Sequence, residues 1–531
     1  MYWPTGSARR LCVEPAGLPD VHNDAVHMAS TRDGMLWFVL TRTALLLWRA
    51  RPIEIVASVI RTQRSLHEYG ANVHAVWSPD ASGIAIQTER DTLLFYELSQ
   101  PASKPSMHAL FDPSAPELAP SSQALLATFQ PATGDAYHTC TNEPLSARIN
   151  FQLLFRDALQ VDPGIACIAC VDAHLFVSTK SPAAVQLVSW PSSSSSASTS
   201  AASASVSASS AASAPPILLA HLPWLQVPLS SSSSLALTPS PIVHAEHSYA
   251  TDLSAWISAD GSAYIVGRND TWVGACAYRA VDSAHKNVPT TTALNARFSL
   301  LALGFENGHI TLFEFQTATQ TPQFVHSLTL PHITGRVICL DWTADGHALA
   351  VGYEHGWAIW STFGHVMCHS FREDWTTATR TYRDSFQFGV QSVFWGLGGT
   401  ELFVLARPLS PDAHAQDDER TLAYVVPFVK AAATTHMTPA DVNAGFLLGD
   451  ASAYMYRGHE QSDAGLLSPG NDVWRHIPFP AEYLTTQWPI RCTALSPDGR
   501  FLAIAGRRGL AHYSTASGHW KLYEACLLYK S

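Results

Sequence analysis

The residues in this chain whose spacing comes nearest to known chemistry are Cys167 and Cys170, the pair His67-Glu68, and the run Gly396-Leu397-Gly398-Gly399. A CxxC pair is a redox couple, or half of a zinc site, when its two sulfurs converge. Here the flanking residues are apolar and read as a strand, in which positions three apart point to opposite faces. No second CxxC supplies the remaining ligands. His67-Glu68 continues as Tyr69-Gly70-Ala71, without the second histidine of a helical zinc site. The glycine run lacks the third glycine of a dinucleotide loop and reads as a corner between strands; neither GxxxxGK[ST] nor GxSxG occurs. The 24 histidines are expected mostly on the surface and in loops, with His309, His347 and His355 at or near turns. No catalytic residue, cofactor-binding residue or metal ligand is assigned, and no cofactor is expected.

The elements that would position any site repeat along the chain. An apolar alternating run, a polar turn containing Asp, a second apolar run, a further turn and a third run recur, most clearly in VHAVWSPDASGIAIQTERDTLLFYEL from Val73, VICLDWTADGHALAVGYEHGWAIW from Val337 and CTALSPDGRFLAIAGRRGLAHY from Cys492. Asp80, Asp345 and Asp498 each follow Trp77, Trp342 and Leu495 by three positions. Trp342 to Trp360 and Leu495 to Tyr513 both span 18 positions, and Trp77 to Tyr96 spans 19. Three strands at fixed offsets make most of a propeller blade. Asp beside Gly or Ser supplies local hydrogen bonds and tolerance of positive φ in the turn. Trp77, Trp342 and Trp395 are expected to fill space between blades.

Weaker copies start at Ala25, Ala166, Ala255, Arg297 and Ser392, which makes about seven blades before residue 460. The fold class expected is therefore all-β: a WD-repeat-like propeller of about seven blades over 1–460, with the start of a second propeller at the C-terminal end. Residues 461–487 read as a linker and 488–531 as the first blade of that second, truncated unit. Pro191 to Ala214 is almost wholly Ser and Ala and cannot bury enough apolar surface to offset its ordering entropy, so 191–214 is expected to be a disordered insertion between blades.

With 47% hydrophobic and 14% charged residues, the chain reads as globular with much buried strand. Its net charge is −11 and its basic residues are scattered, so the stripe that phosphate backbones require is missing and nucleic acid is not an expected partner. The nine cysteines are odd in number and dispersed, which suits reduced thiols and a cytoplasmic location. No apolar run approaches the roughly 20 residues of a membrane helix.

Four stretches carry a family resemblance: the opening Met1-Tyr2-Trp3, the WSPD turn at Trp77–Asp80, the segment from Val337 through Gly364, and WPIRCTALSPDGRFLAIAGRRGLAHYSTASGHWKLY from Trp488. Together they resemble the amino-terminal WD-repeat part of the ribosome control protein 1 family, the large subunit of the Ric/Rgp guanine-nucleotide exchange factor complex. The resemblance implies a scaffold subunit with no active site of its own and no small-molecule substrate. It implies an arrestin-like Rgp subunit and a Golgi Rab GTPase of class six as partners, peripheral association with the Golgi membrane, and a role in retrograde endosome-to-Golgi transport. Family members continue into a helical region that this sequence does not contain, so binding or exchange by this chain alone is left open. The alternative is a generic WD-repeat scaffold in a coat, tether or ubiquitin ligase assembly; a propeller enzyme is disfavoured by the missing motifs.

Overall fold

A computed structural model describes residues 2–5, 8–11, 25–99, 128–129, 136–138, 151–191, 215–225, 240–268, 271–280, 287–371, 389–406, 423–431, 445–456, 474–496, 498–507 and 509–523. The Ser/Ala insertion expected at 191–214 lies, beyond Pro191, outside these residues, as does 461–473 of the expected linker.

Seven antiparallel sheets follow one another along the chain, each led by an inner strand: Ala25–Ser30, Asn72–Trp77, Ile165–Val171, Ile242–Ser248, Pro289–Asn295, Val337–Trp342 and Val390–Trp395. Each inner strand touches the next in chain order, and Val390–Trp395 returns to Ala25–Ser30, so the sheets close into a seven-bladed ring. The second strands are near-continuous apolar runs such as LWFVLT (Leu36–Thr41) and ALAVGY (Ala348–Tyr353), buried at every position. Burial on both faces follows from closure, because each blade has a neighbour on either side.

The turns show why the Asp signal recurs. Ser78 Oγ donates to Asp80 Oδ1 at 2.6 Å, Ser82 N donates to the same oxygen at 3.0 Å, and Gly83 N donates to Ser78 Oγ at 2.8 Å. Thr31 with Asp33, Thr343 with Asp345, and Ser496 with Asp498 build the same turn. Ser258 with Asp260 makes it too, but between the second and third strands of its blade, Leu253–Ser258 and Ala263–Arg268. The copies from Ala255 and Arg297 therefore start one strand late: their inner strands are Ile242–Ser248 and Pro289–Asn295. A self-contained turn marks a hairpin without saying which hairpin of the blade it is.

The chain's opening residues complete the seventh blade. Arg9–Leu11 pairs with Ala423–Val425 of the strand Ala423–Ala431, and Tyr2–Pro4 pairs with Phe428–Lys430 of that strand. The far end of Ala423–Ala431 also pairs with Phe446–Leu448, which leads into Ser452–Tyr456 and Trp474–Pro478. One strand is thus shared by the last blade and a following sheet. Helix Ala481–Gln487 then leads to the four-stranded sheet Cys492–Leu495, Phe501–Ala505, Leu510–Ser514 and His519–Tyr523. Two boundaries shift as a result. The division expected at 460 falls inside one sheet, and the described part of the expected linker, 474–487, is strand and helix. The sheet from Cys492 is preceded by another beyond the ring and is not the first of its unit. The strands Phe446–Leu448 and Ser452–Tyr456 are short, and the turn between them has Leu448 rather than Ser or Thr two positions before Asp450, which is why their sequence did not declare them.

The second unit packs against the ring through one apolar cluster that joins Trp37, Trp48 and Phe403 to Phe446, Leu448, Ile477, Trp488, Leu495 and Ile504. At its edge Arg51 of the first blade pairs with Asp450, lies over the Trp488 ring at 5.0 Å, and Trp488 Nε1 donates to Asp450 Oδ1 at 2.7 Å. Among the described residues no helix is long and apolar enough to cross a membrane.

Candidate functional site

The inner strands share a local irregularity that shapes the centre of the ring. Each shifts register against its second strand near its start: between Ala25 and His27, Asn72 and His74, Ile165 and Cys167, Ile242 and His244, Pro289 and Thr291, Val337 and Cys339, and Val390 and Ser392. A bulge adds twist and re-aims the side chain that follows it. Seven bulges at one level set His27, His74, Cys167, His244, Thr291, Cys339 and Ser392 around a central cavity of about 820 Å³. Two residues further on, Glu246 and Asp341 line the same cavity.

These groups are partly open to the lumen, yet the ring holds them away from bulk water. The His27 and His74 rings lie 4.1 Å apart. Enclosure pulls the His27 imidazole well below its usual value, with His74 adding to the effect, and brings His74 and His244 down to about 4. The same enclosure pushes the Glu246 carboxyl up to about 8 and Asp341 up to about 7. Glu246 accepts from Leu294 N and Thr292 Oγ1, each at 3.4 Å, and Asp341 accepts from Trp395 N at 2.6 Å. Near neutral pH the channel therefore holds uncharged imidazoles and a largely protonated Glu246. The histidines expected on surface and loops are, at these three positions, channel groups. They sit at the third residue of an inner strand, and sequence offers no marker for the bulge that turns them inward.

A pH dependence follows. An unfolded glutamate ionises near 4.5, so between roughly pH 4.5 and 8 the unfolded chain has released a proton that folded Glu246 keeps, and folding stability falls as pH rises through that window. The histidines act oppositely: their contribution is intact above about 6.5 and is lost as pH falls toward 4. Glu246→Gln removes the first effect alone. It is expected to stabilise the chain by about 2 kcal/mol more at pH 8 than at pH 4.5, the open lumen moderating the full linkage value. Urea unfolding at the two pH values reads this difference, and an equal effect at both would contradict it.

The residues singled out in the sequence take plain structural places. Trp77 Nε1 donates to Ala29 O of the preceding blade at 3.2 Å, and Trp342 Nε1 donates to Ala293 O of its preceding blade at 3.3 Å. Trp395 packs on Tyr2 at 5.5 Å and Phe428 at 5.2 Å. All three are buried between blades, as their size requires. Cys167 packs with Ala169 and Val171 against the fourth blade, Ile168 packs against the second, and alternation carries Cys170 to the side of Ile168. Both thiols are free, and burial pushes them up to about 12 and about 11, away from thiolate chemistry. His309, His347 and His355 occupy turns between strands. Gly398 and Gly399, at φ 87° and 68°, form the corner between Val390–Trp395 and Glu401–Ala406. His67 and Glu68 are exposed on the short helix Gln63–Tyr69.

Outside the channel, large apolar side chains stand in solvent on the fifth and sixth blades: Phe324 is 62% exposed, Ile333 85% and Phe363 72%. Exposed aromatic and aliphatic groups of this size suit contact with another protein. The geometry thus offers a closed ring around a cavity lined by neutral imidazoles and acidic groups of raised pKa, exposed apolar side chains on the fifth and sixth blades, and a second unit docked on its seventh and first blades.

Comparison with known proteins agrees with this arrangement. A family model described as the RIC1 second beta propeller domain matches residues 449–525, which begin just after the strand Phe446–Leu448 that pairs with the shared strand. The guanine nucleotide exchange factor subunit ric1 of Schizosaccharomyces pombe is 21% identical over 99% of this chain and 51% of its own length. The guanine nucleotide exchange factor subunit RIC1 of Homo sapiens is 23% identical over 98% of this chain and 37% of its own length. The chain therefore spans about half, or less, of the curated relatives it matches. Among solved structures, the Myceliophteria thermophila Cps50 (Swd1) β-propeller domain aligns with a TM-score of 0.45 at 8% identity, covering 76% of this chain and 96% of that one. Along nearly its whole length the chain is similar to RIC1 guanine nucleotide exchange factor subunits, and its second unit matches the RIC1 second beta propeller domain.

Proposed function

We propose that this chain is the propeller part of a guanine-nucleotide exchange factor subunit and serves there as a non-catalytic scaffold. In this reading it works with an arrestin-like Rgp subunit on a Golgi Rab GTPase of class six, as a cytoplasmic protein held peripherally at the Golgi membrane, in retrograde endosome-to-Golgi transport. The observation that carries the reading is the match of 98–99% of the chain to subunits of that name. The physical arrangement is compatible with it. Exchange needs no nucleophile, because a factor that binds the nucleotide-free GTPase more tightly than the loaded form weakens nucleotide binding by the same free energy. A rigid ring with exposed Phe324, Ile333 and Phe363 supplies surface for such contacts.

The test is release of labelled GDP from purified Rab GTPases by the full-length subunit together with its Rgp partner. An acceleration of about tenfold or more for a Golgi Rab is expected, a modest coupling of binding free energies. No acceleration for any Rab would sink the proposal.

A further inference from the structure

We propose that the turns of the third and fourth blades hold a divalent cation, ligated by Asp172, His247 and Asp252. This inference is independent of the exchange-factor reading. Asp172 sits in the turn after the inner strand Ile165–Val171, His247 near the end of the inner strand Ile242–Ser248, and Asp252 in the turn that follows it. One ligand atom from each, two carboxylate oxygens and an imidazole nitrogen, lies within 4.8 Å of the other two.

The imidazole carries the argument. The His247 side chain is 3% exposed, and among the described residues its Nε2 has no hydrogen-bond partner. That nitrogen faces Asp172 Oδ1 at 3.6 Å, too far for a hydrogen bond. Its other nitrogen, Nδ1, lies 3.0 Å from Ser254 Oγ, a buried hydroxyl. An imidazole anchored through one nitrogen, with the other facing the Asp172 carboxylate and the Asp252 carboxylate close by, has the orientation of a metal-ligating histidine. Asp172 is oriented in turn: its Oδ2 lies 3.3 Å from Arg268 Nη1, which leaves Oδ1 to the cation. Arg32, whose charge reaches His247, lies over the Tyr249 ring at 4.7 Å.

One nitrogen and two oxygens suit Zn²⁺ or Mn²⁺, with a further position open to water or to a ligand from a partner. Ligands about 2.0–2.2 Å from a metal lie no more than about 4.4 Å apart, so binding draws the three groups slightly closer. Asp252 is exposed at the end of its turn, just before the strand Leu253–Ser258.

The experiment is calorimetric titration of Zn²⁺ into the metal-free chain, with thermal unfolding at each zinc level. Because the chain carries 24 histidines, the reading is the difference between wild type and variant. Asp252→Asn, a surface change, is expected to lose one zinc equivalent or weaken it at least about tenfold, and to lose the accompanying rise in Tm. His247→Gln is expected to do the same. Co²⁺ bound to wild type is expected to give a visible d–d absorption band that both variants lack. If wild type and Asp252→Asn bind the same number of zinc ions with the same affinity, the site does not exist, whether or not His247→Gln folds.

Discussion

Replacing Trp37 with alanine is expected to lower the unfolding free energy by about 3–5 kcal/mol, the range for removing a large aromatic from a packed core. Trp37 is 1% exposed on the second strand of the first blade. Its ring stacks on Trp48 of the same blade at 4.8 Å and meets Phe394 and Phe403 of the seventh blade at 5.8 and 5.1 Å. Through the same cluster it is continuous with the apolar groups of the second unit. The substitution therefore opens a void where the ring closes and where the second unit docks. Neither neighbour can collapse into it without moving a blade, so the cost belongs at the upper end of the range. Ile333→Ala, at a site 85% exposed, is the control and is expected to change stability by less than about 0.5 kcal/mol. Chemical unfolding of both variants decides the matter; comparable losses would mean that the seam does not hold the ring closed.

Lys430→Ala is expected to cost about 3 kcal/mol by leaving a largely buried carboxylate without its cation. Lys430 and Asp345 side chains are 6% and 15% exposed and lie 3.6 Å apart, and Lys430 Nζ also donates to Gly398 O at 2.6 Å. Burial pulls the Lys430 ammonium below the usual lysine value against the pull of Asp345. Asp345 accepts from Tyr2 OH at 2.5 Å as well, so the pair ties the chain's second residue to the sixth and seventh blades. Loss of the cation should therefore loosen the strand Tyr2–Pro4, which pairs with Phe428–Lys430, and expose the chain's opening residues to proteases. Adding Asp345→Asn to Lys430→Ala removes the stranded charge and is expected to recover part of the loss, a coupling that a double-mutant cycle measures. A single-variant cost below about 1 kcal/mol, or strictly additive effects, would show that the triad does not anchor the closing strand.

These two predictions rest on different kinds of information. The turn around Asp345 was visible in the residues themselves, because a hydroxyl, a carboxylate and a glycine within a few positions close a hairpin by their own hydrogen bonds. The same holds for Trp77, Trp342 and Trp395, whose size alone argues for the space between blades, and for Cys167 and Cys170, which strand alternation keeps apart. By itself the sequence determined the strand-and-turn rhythm, the number of blades, the lack of familiar catalytic motifs, and the family resemblance of its last described sheet.

Only the tertiary structure decided what depends on distant partners. That Tyr2 meets Asp345, 343 positions away, is a consequence of closure, as is the sharing of Ala423–Ala431 between the ring and the next sheet. The channel groups His27, His74, His244, Glu246 and Asp341 converge because seven bulged strands stand around one axis, although each residue is unremarkable in its own segment. Asp172, His247 and Asp252 come together across two blades in the same way. Local hydrogen bonding is written in neighbouring residues, whereas convergence depends on how the blades close, and closure is a property of the whole ring.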